Sequence, residues 1–151
     1  MNKKLKQNQK GLAAIELTLL LPFLLFSLFV VTEFSRVLYQ YNALNKVVRN
    51  ASRYIIANPE FNSTNANIVT NATKLAAKSL LIYGDLGGTQ EILPNLSATT
   101  FSVSVSDEFI TVTASYPWQP IFTDSLPKFA SSGSYDLSFP LVSRYTMRAF
   151  P

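Results

Sequence analysis

Between Leu12 and Val31 lie 20 residues that are almost wholly apolar and carry a single charge, Glu16. As a helix this run is about 30 Å long, one hydrocarbon thickness of a bilayer. No buried element of a small soluble domain needs such a run, so the chain is expected to be built around a membrane anchor. Lys3, Lys4, Lys6 and Lys10 precede it with no acidic residue among them. That asymmetry predicts a cytoplasmic N-terminus, with everything after Val31 outside. Glu16 is the anomaly. A carboxylate inside a membrane helix costs a few kcal/mol, which marks it as a functional candidate.

Three readings of this stretch compete. A cleaved secretory signal explains the basic start, but the run exceeds a usual apolar core and no small-x-small site follows it. A plain signal anchor explains the lysines and the length and leaves Glu16 without a purpose. A prepilin-type leader, cut on the cytoplasmic side after Gly11, leaves Leu12 as the new N-terminus and Glu16 as the fifth residue of the mature chain. The free amine then lies four residues from Glu16, within reach along one helix face or from a neighbouring subunit. Pairing neutralises a carboxylate otherwise stranded in lipid.

The residues Gly11-Leu12-Ala13-Ala14-Ile15-Glu16, with Leu21-Pro22-Phe23 in the apolar run and Glu33-Phe34-Ser35-Arg36-Val37-Leu38-Tyr39 after it, resemble the TadE-like family. These are minor pilins, or pseudopilins, of the tight-adherence (Flp) pilus system. The likeness continues through Ala43-Leu44 and Ala51-Ser52-Arg53-Tyr54. It returns in Tyr116-Pro117-Trp118-Gln119-Pro120 and Tyr145-Thr146-Met147-Arg148. It is dense over about the first 55 residues and thin beyond them. The resemblance implies cleavage by a prepilin peptidase at Lys10-Gly11-Leu12, residence in the bacterial inner membrane and a part in pilus assembly. The partners it implies are the major pilin, other minor pilins and the inner-membrane assembly platform.

Charge distribution supports membrane topology rather than nucleic-acid binding. The stretch Met1 to Gly11 holds four of the 13 basic residues and none of the nine acidic ones, so nine of each remain from Leu12 onward. The net +4 is therefore confined to the leader. The chain has no cysteine and no histidine. An exported domain here must hold together by packing or by partners, without disulfides. The commonest general base and metal ligand is missing as well.

Downstream of the membrane run the pattern becomes periodic. Phe34, Val37, Leu38, Tyr41, Leu44, Val48, Ala51 and Ile55 recur at three- and four-residue steps, with Arg36, Gln40, Asn42, Asn45, Lys46, Arg49 and Asn50 between them. This predicts an amphipathic continuation of the same helix. From Leu12 to Ala57 it would span about 69 Å. Pro22 removes one backbone hydrogen bond and is expected to kink it. Asn58-Pro59 ends it.

A polar loop over Glu60–Asn67 and a second helix from about Ala66 to Tyr83 follow, with Ile68, Ala72, Leu75, Ala76, Leu80 and Tyr83 as its apolar face and Gly84 as its stop. Phe101, Val103 and Val105 alternate with serines, and Ile110, Val112, Ala114 and Tyr116 alternate with Thr111, Thr113 and Ser115. That is a hairpin turning at Ser106-Asp107-Glu108. A third strand is expected over Tyr135, Leu137, Phe139 and Leu141, extending towards Met147, with Pro140 at an edge or a break. The 18 residues from Pro117 to Ser134 form a long connection, in which Trp118, Ile121, Phe122 and Phe129 either present a contact surface or cap the core.

Nothing here assembles into an active site. Lys78 and Ser79 are adjacent on a helix and face apart, and Asp85, Glu91, Asp107, Glu108 and Asp124 lack calcium-loop spacing. No cofactor or metal is expected. The expected fold is α+β: a long membrane-plus-amphipathic helix, a second helix and a three-stranded antiparallel sheet, as in pilins. Its parts are a basic leader (1–11), a transmembrane part (12–32), an amphipathic continuation (33–57) and an extracytoplasmic domain (58–151). Processing falls on Lys10, Gly11 and Leu12, assembly register on Glu16 and the kink on Pro22. Partner contacts fall on Phe34, Val37, Leu38, Tyr41, Trp118 and Phe122. The alternative function is a bitopic protein with a small extracytoplasmic binding domain unrelated to pili.

Overall fold

In a computed structural model the helix α1 runs from Lys3 to Ala57 and includes Pro22. The structure describes residues 3–58, 60–61, 67–106, 108–128 and 131–149. The chain divides into two units, Met1–Arg36 and Val37–Pro151.

In the first unit, every side chain from Gly11 to Thr32 is exposed, and Phe23 is 73% exposed. Three hydroxyl residues in and just after the apolar run turn back on the helix. Thr18 Oγ1 donates to the Ile15 carbonyl, Ser27 Oγ to Phe23 and Thr32 Oγ1 to Leu28, each at 2.8 Å. Such bonds hide a donor that lipid cannot satisfy. At the unit's end Arg36 pairs with Glu33 at 3.1 Å.

In the second unit, the remainder of α1 buries a stripe made of Gln40, Leu44, Val47, Val48, Ala51, Ser52 and Ile55. These are the three- and four-residue steps of one helix face. Gln40, expected on the polar side, lies on this stripe one turn before Leu44 and is 4% exposed. Val47 joins the core as well, although the expected periodic set omitted it.

The stripe packs against a sheet of order β3-β4-β7, from Thr100–Ser106, Phe109–Pro117 and Pro140–Arg148. Both pairings are antiparallel. Ser106 sits opposite Phe109 in the first, and Pro117 opposite Pro140 in the second. Ile110, Val112, Ala114 and Tyr116 face inward from β4, as their alternation predicts. Ser143 Oγ donates to Asn45 Oδ1 at 2.6 Å, and the Arg49 guanidinium lies 5.3 Å from the Tyr145 ring, so α1 and β7 are joined by polar contacts too. Asp107, in the expected turn, lies outside the described residues.

The third strand is displaced from its expected position. It begins at Pro140, where a missing N–H does least harm to a ladder, and its inward residues are Leu141, Ser143, Tyr145 and Met147. Tyr135 instead lies in β6 (Ser134–Asp136), which pairs with β5 (Ser125–Pro127) as a separate ladder inside the long connection. The loop before the second helix likewise carries a two-residue ladder, β1 (Glu60–Phe61) on β2 (Asn67–Ile68).

The second helix, α2, spans Asn71–Tyr83 and starts later than expected. Thr70 Oγ1 accepts from the Thr73 N–H at 3.3 Å and caps it. Gly84, at φ 74°, closes it in the left-handed conformation that glycine adopts without steric cost. Its buried face is Thr73, Ala77, Leu81 and Ile82. The expected face is thus turned by about one residue, which leaves Leu75 66% exposed. The α+β architecture itself is the one the sequence predicts.

Candidate membrane and assembly segment

The candidate site lies on the first unit's helix. Lys10 and Gly11 fall inside α1, and Gly11 has open space around it, with nothing within 4 Å of where a Cβ would stand. Glycine in a helix interior costs about 1 kcal/mol relative to alanine. Neither a turn nor a close approach within this chain requires it at that position. Leu12 is 69% exposed and Glu16 is exposed one turn further on, at the spacing that puts both on one helix face.

The helix is long and apolar enough to cross a membrane: its candidate span, Gly11–Ala57, contains an 18-residue window of mean hydropathy 2.4 with none of that window buried. Pro22 sits within it, where it cannot donate to the Thr18 carbonyl.

The expected contact residues fare differently. Phe34 is exposed in the first unit, and Leu38 and Tyr41 are exposed in the second. Val37 is half-buried against the core. Phe122 is exposed beside Ile121 in the long connection. Trp118 is withdrawn from the contact surface: it is 3% exposed, and its ring packs 5.2 Å from that of Phe139. A large indole at the end of β4 removes more apolar area from water by capping the core than by standing outside it. Phe129 lies outside the described residues.

The family comparison bears on this helix. Residues 11–53 match the TadE-like protein family. The match covers a little over a quarter of the chain, begins at Gly11 and ends within the buried stripe of α1. Neither a curated protein nor a solved structure matches the chain. The TadE-like match points to a tight-adherence pilus-associated protein, and the apolar helix points to membrane association.

Two features of the second unit escaped the sequence reading. Gln40 Oε1 is buried without a hydrogen-bond partner among the described residues. Lys74 and Lys78, one turn apart on α2, line a groove of about 550 Å³ beside β3. Their spacing is visible in the sequence, but their position beside a sheet edge is not.

Among the described residues no group of three or more histidine, cysteine, aspartate or glutamate residues is placed to hold a metal.

Proposed function

We propose that this chain is a minor pilin or pseudopilin of a tight-adherence pilus, matured by a prepilin peptidase that cuts between Gly11 and Leu12. One observation carries the reading: the TadE-like match starts at the glycine for which the fold has no internal use. A glycine that costs helix stability and meets no neighbour is accounted for by an enzyme that must bind the backbone closely at that point. Lys10 precedes the cut and would help the peptidase locate it.

In this reading the chain is single-pass in the inner membrane, with residues 1–11 cytoplasmic, 12–32 spanning, 33–57 continuing the helix and 58–151 in the periplasm. After cleavage, Glu16 pairs with the free amine of an adjacent pilin-type subunit and sets the axial register of assembly. Opposite charges in a low-dielectric setting attract strongly, and each removes the other's desolvation cost. Phe34, Leu38, Tyr41 and Phe122 are the contact residues for the major pilin and other minor pilins, and Pro22 lets the helix bend as it leaves lipid.

The test is the N-terminus of the membrane-extracted protein after coexpression with a prepilin peptidase, read by intact mass. A chain beginning at Leu12 supports the reading. A chain beginning at Met1 overturns it in favour of a plain anchored domain.

A further inference from the structure

The second unit carries a sheet edge that is unpaired among the described residues. β3 pairs with β4 on one side, and among the described residues no strand pairs with its other side. Natural edges are usually blunted by lysine, proline or a bulge. β3 reads Thr-Phe-Ser-Val-Ser-Val-Ser and has none of these, pairing with β4 in unbroken register over all seven residues. Its backbone therefore offers a template for a further strand.

The groove beside this edge has a chemical character of its own. Phe101 and Val103 from β3 and Leu75 from α2 supply apolar walls, and Lys74 and Lys78 supply the charge. Among the described residues neither lysine is in an ion pair; the pairs there join Arg36 to Glu33 and Arg148 to Glu108. Four residues of helix separate the two lysines by about 6 Å along the axis, and two residues of extended strand cover about 6.8 Å. Carboxylates at alternate positions of an extended segment therefore match the lysine spacing.

We propose that the groove between α2 and β3 receives an extended segment of another protein that bears acidic residues at alternate positions. The segment adds to the sheet beside β3 and places two carboxylates against Lys74 and Lys78. The backbone edge supplies ladder hydrogen bonds, and the lysine pair selects acidic side chains. This holds whether or not the chain is cleaved after Gly11, because none of these residues belongs to the membrane segment.

The test uses the full chain in detergent micelles and a fluorescent seven-residue peptide of alternating valine and glutamate, followed by anisotropy. Binding is expected, falling about tenfold when glutamine replaces glutamate and about tenfold for the K74E/K78E double variant, as two partly exposed ion pairs allow. Raising the salt should weaken binding. A peptide methylated on every backbone amide nitrogen should not bind, since it has no N–H left to donate to a ladder.

Three results would overturn the proposal. Equal binding of the methylated peptide would show a basic patch that attracts any anion, a lipid headgroup included. Equal binding by K74E/K78E, with an unchanged melting temperature, would remove the lysines. Failure of the glutamate peptide to bind, together with concentration-dependent cross-linking through a cysteine introduced at Ser102 that K74E/K78E leaves intact, would assign the edge to a second copy of this chain.

Discussion

One helix supplies two regions that solve the same problem in opposite ways. From Leu12 to Val31 α1 is apolar around most of its circumference, and none of it is buried within the chain. From Gln40 to Ile55 it is apolar along one stripe, and that stripe is covered by the chain's own sheet and second helix; Leu44 and Val48 are fully buried. A helix apolar all round needs an apolar solvent, whereas a striped one needs a single packed face. Both regions exclude water from apolar side chains. Only the second does so with residues the chain itself provides.

The largest effect tests the end of the first region. Gly11→Asp should abolish maturation, leaving the full-length mass when the protein is coexpressed with a prepilin peptidase. A product of mature mass would move the cleavage site elsewhere.

A stability comparison would break the contrast directly. Leu44→Ala should destabilise the second unit by about 2–5 kcal/mol, the cost of emptying a packed site. Leu24→Ala, in the exposed run, should change the same unfolding transition of the detergent-solubilised chain by less than about 0.5 kcal/mol. Comparable losses from both would mean that the first region packs on the chain after all.

Glu16→Gln sharpens the contrast within the membrane segment. Insertion should be unchanged, because the substitution removes a charge from lipid, while pilus yield falls. Undiminished pili would remove Glu16 from assembly.

The smallest effect concerns pH and lies wholly in the second unit. A hydrogen bond from the Ser97 side chain holds the Glu91 carboxyl below its ordinary value, and the backbone N–H groups of Leu96 and Ser97 act in the same direction. Glu91 Oε2 accepts from the Leu96 N–H at 2.8 Å, at the start of the short 3-10 turn Leu96–Ala98. A depressed carboxylate contributes stability above its unfolded value and loses it as pH falls through the folded one. Ser97→Ala should therefore raise the Glu91 titration midpoint towards the ordinary carboxylate range, as read by carboxyl NMR shifts, and flatten the acid limb of the unfolding curve. An unmoved midpoint would leave the two backbone bonds as the whole cause.

Local pattern was enough to read the continuous helix and the hairpin of β3 and β4, because each depends on periodicity or on residues close in sequence. The register of that hairpin follows from a two-residue connection and clean alternation. The third strand was less legible. Alternation runs through both Tyr135–Leu137 and Leu141–Met147, and period two alone does not say which part joins the main sheet. Pro140 decides it by serving as a first residue, with Pro117 opposite. The buried face of α2 is ambiguous in the sequence for a similar reason: alanines and leucines occur around much of that helix, so small differences in composition do not select the buried side.

The sequence by itself determined that the chain has a membrane-length apolar helix with one carboxylate in it, four lysines before it and an α+β remainder. These are matters of composition and spacing along a single element. Only the tertiary structure decided that Trp118 caps the core, that Gln40 lies on the buried stripe, and that Lys74 and Lys78 border an open sheet edge. Each depends on which elements meet across long separations in the chain, and side-chain burial is settled by the neighbour that arrives rather than by the residue's own polarity.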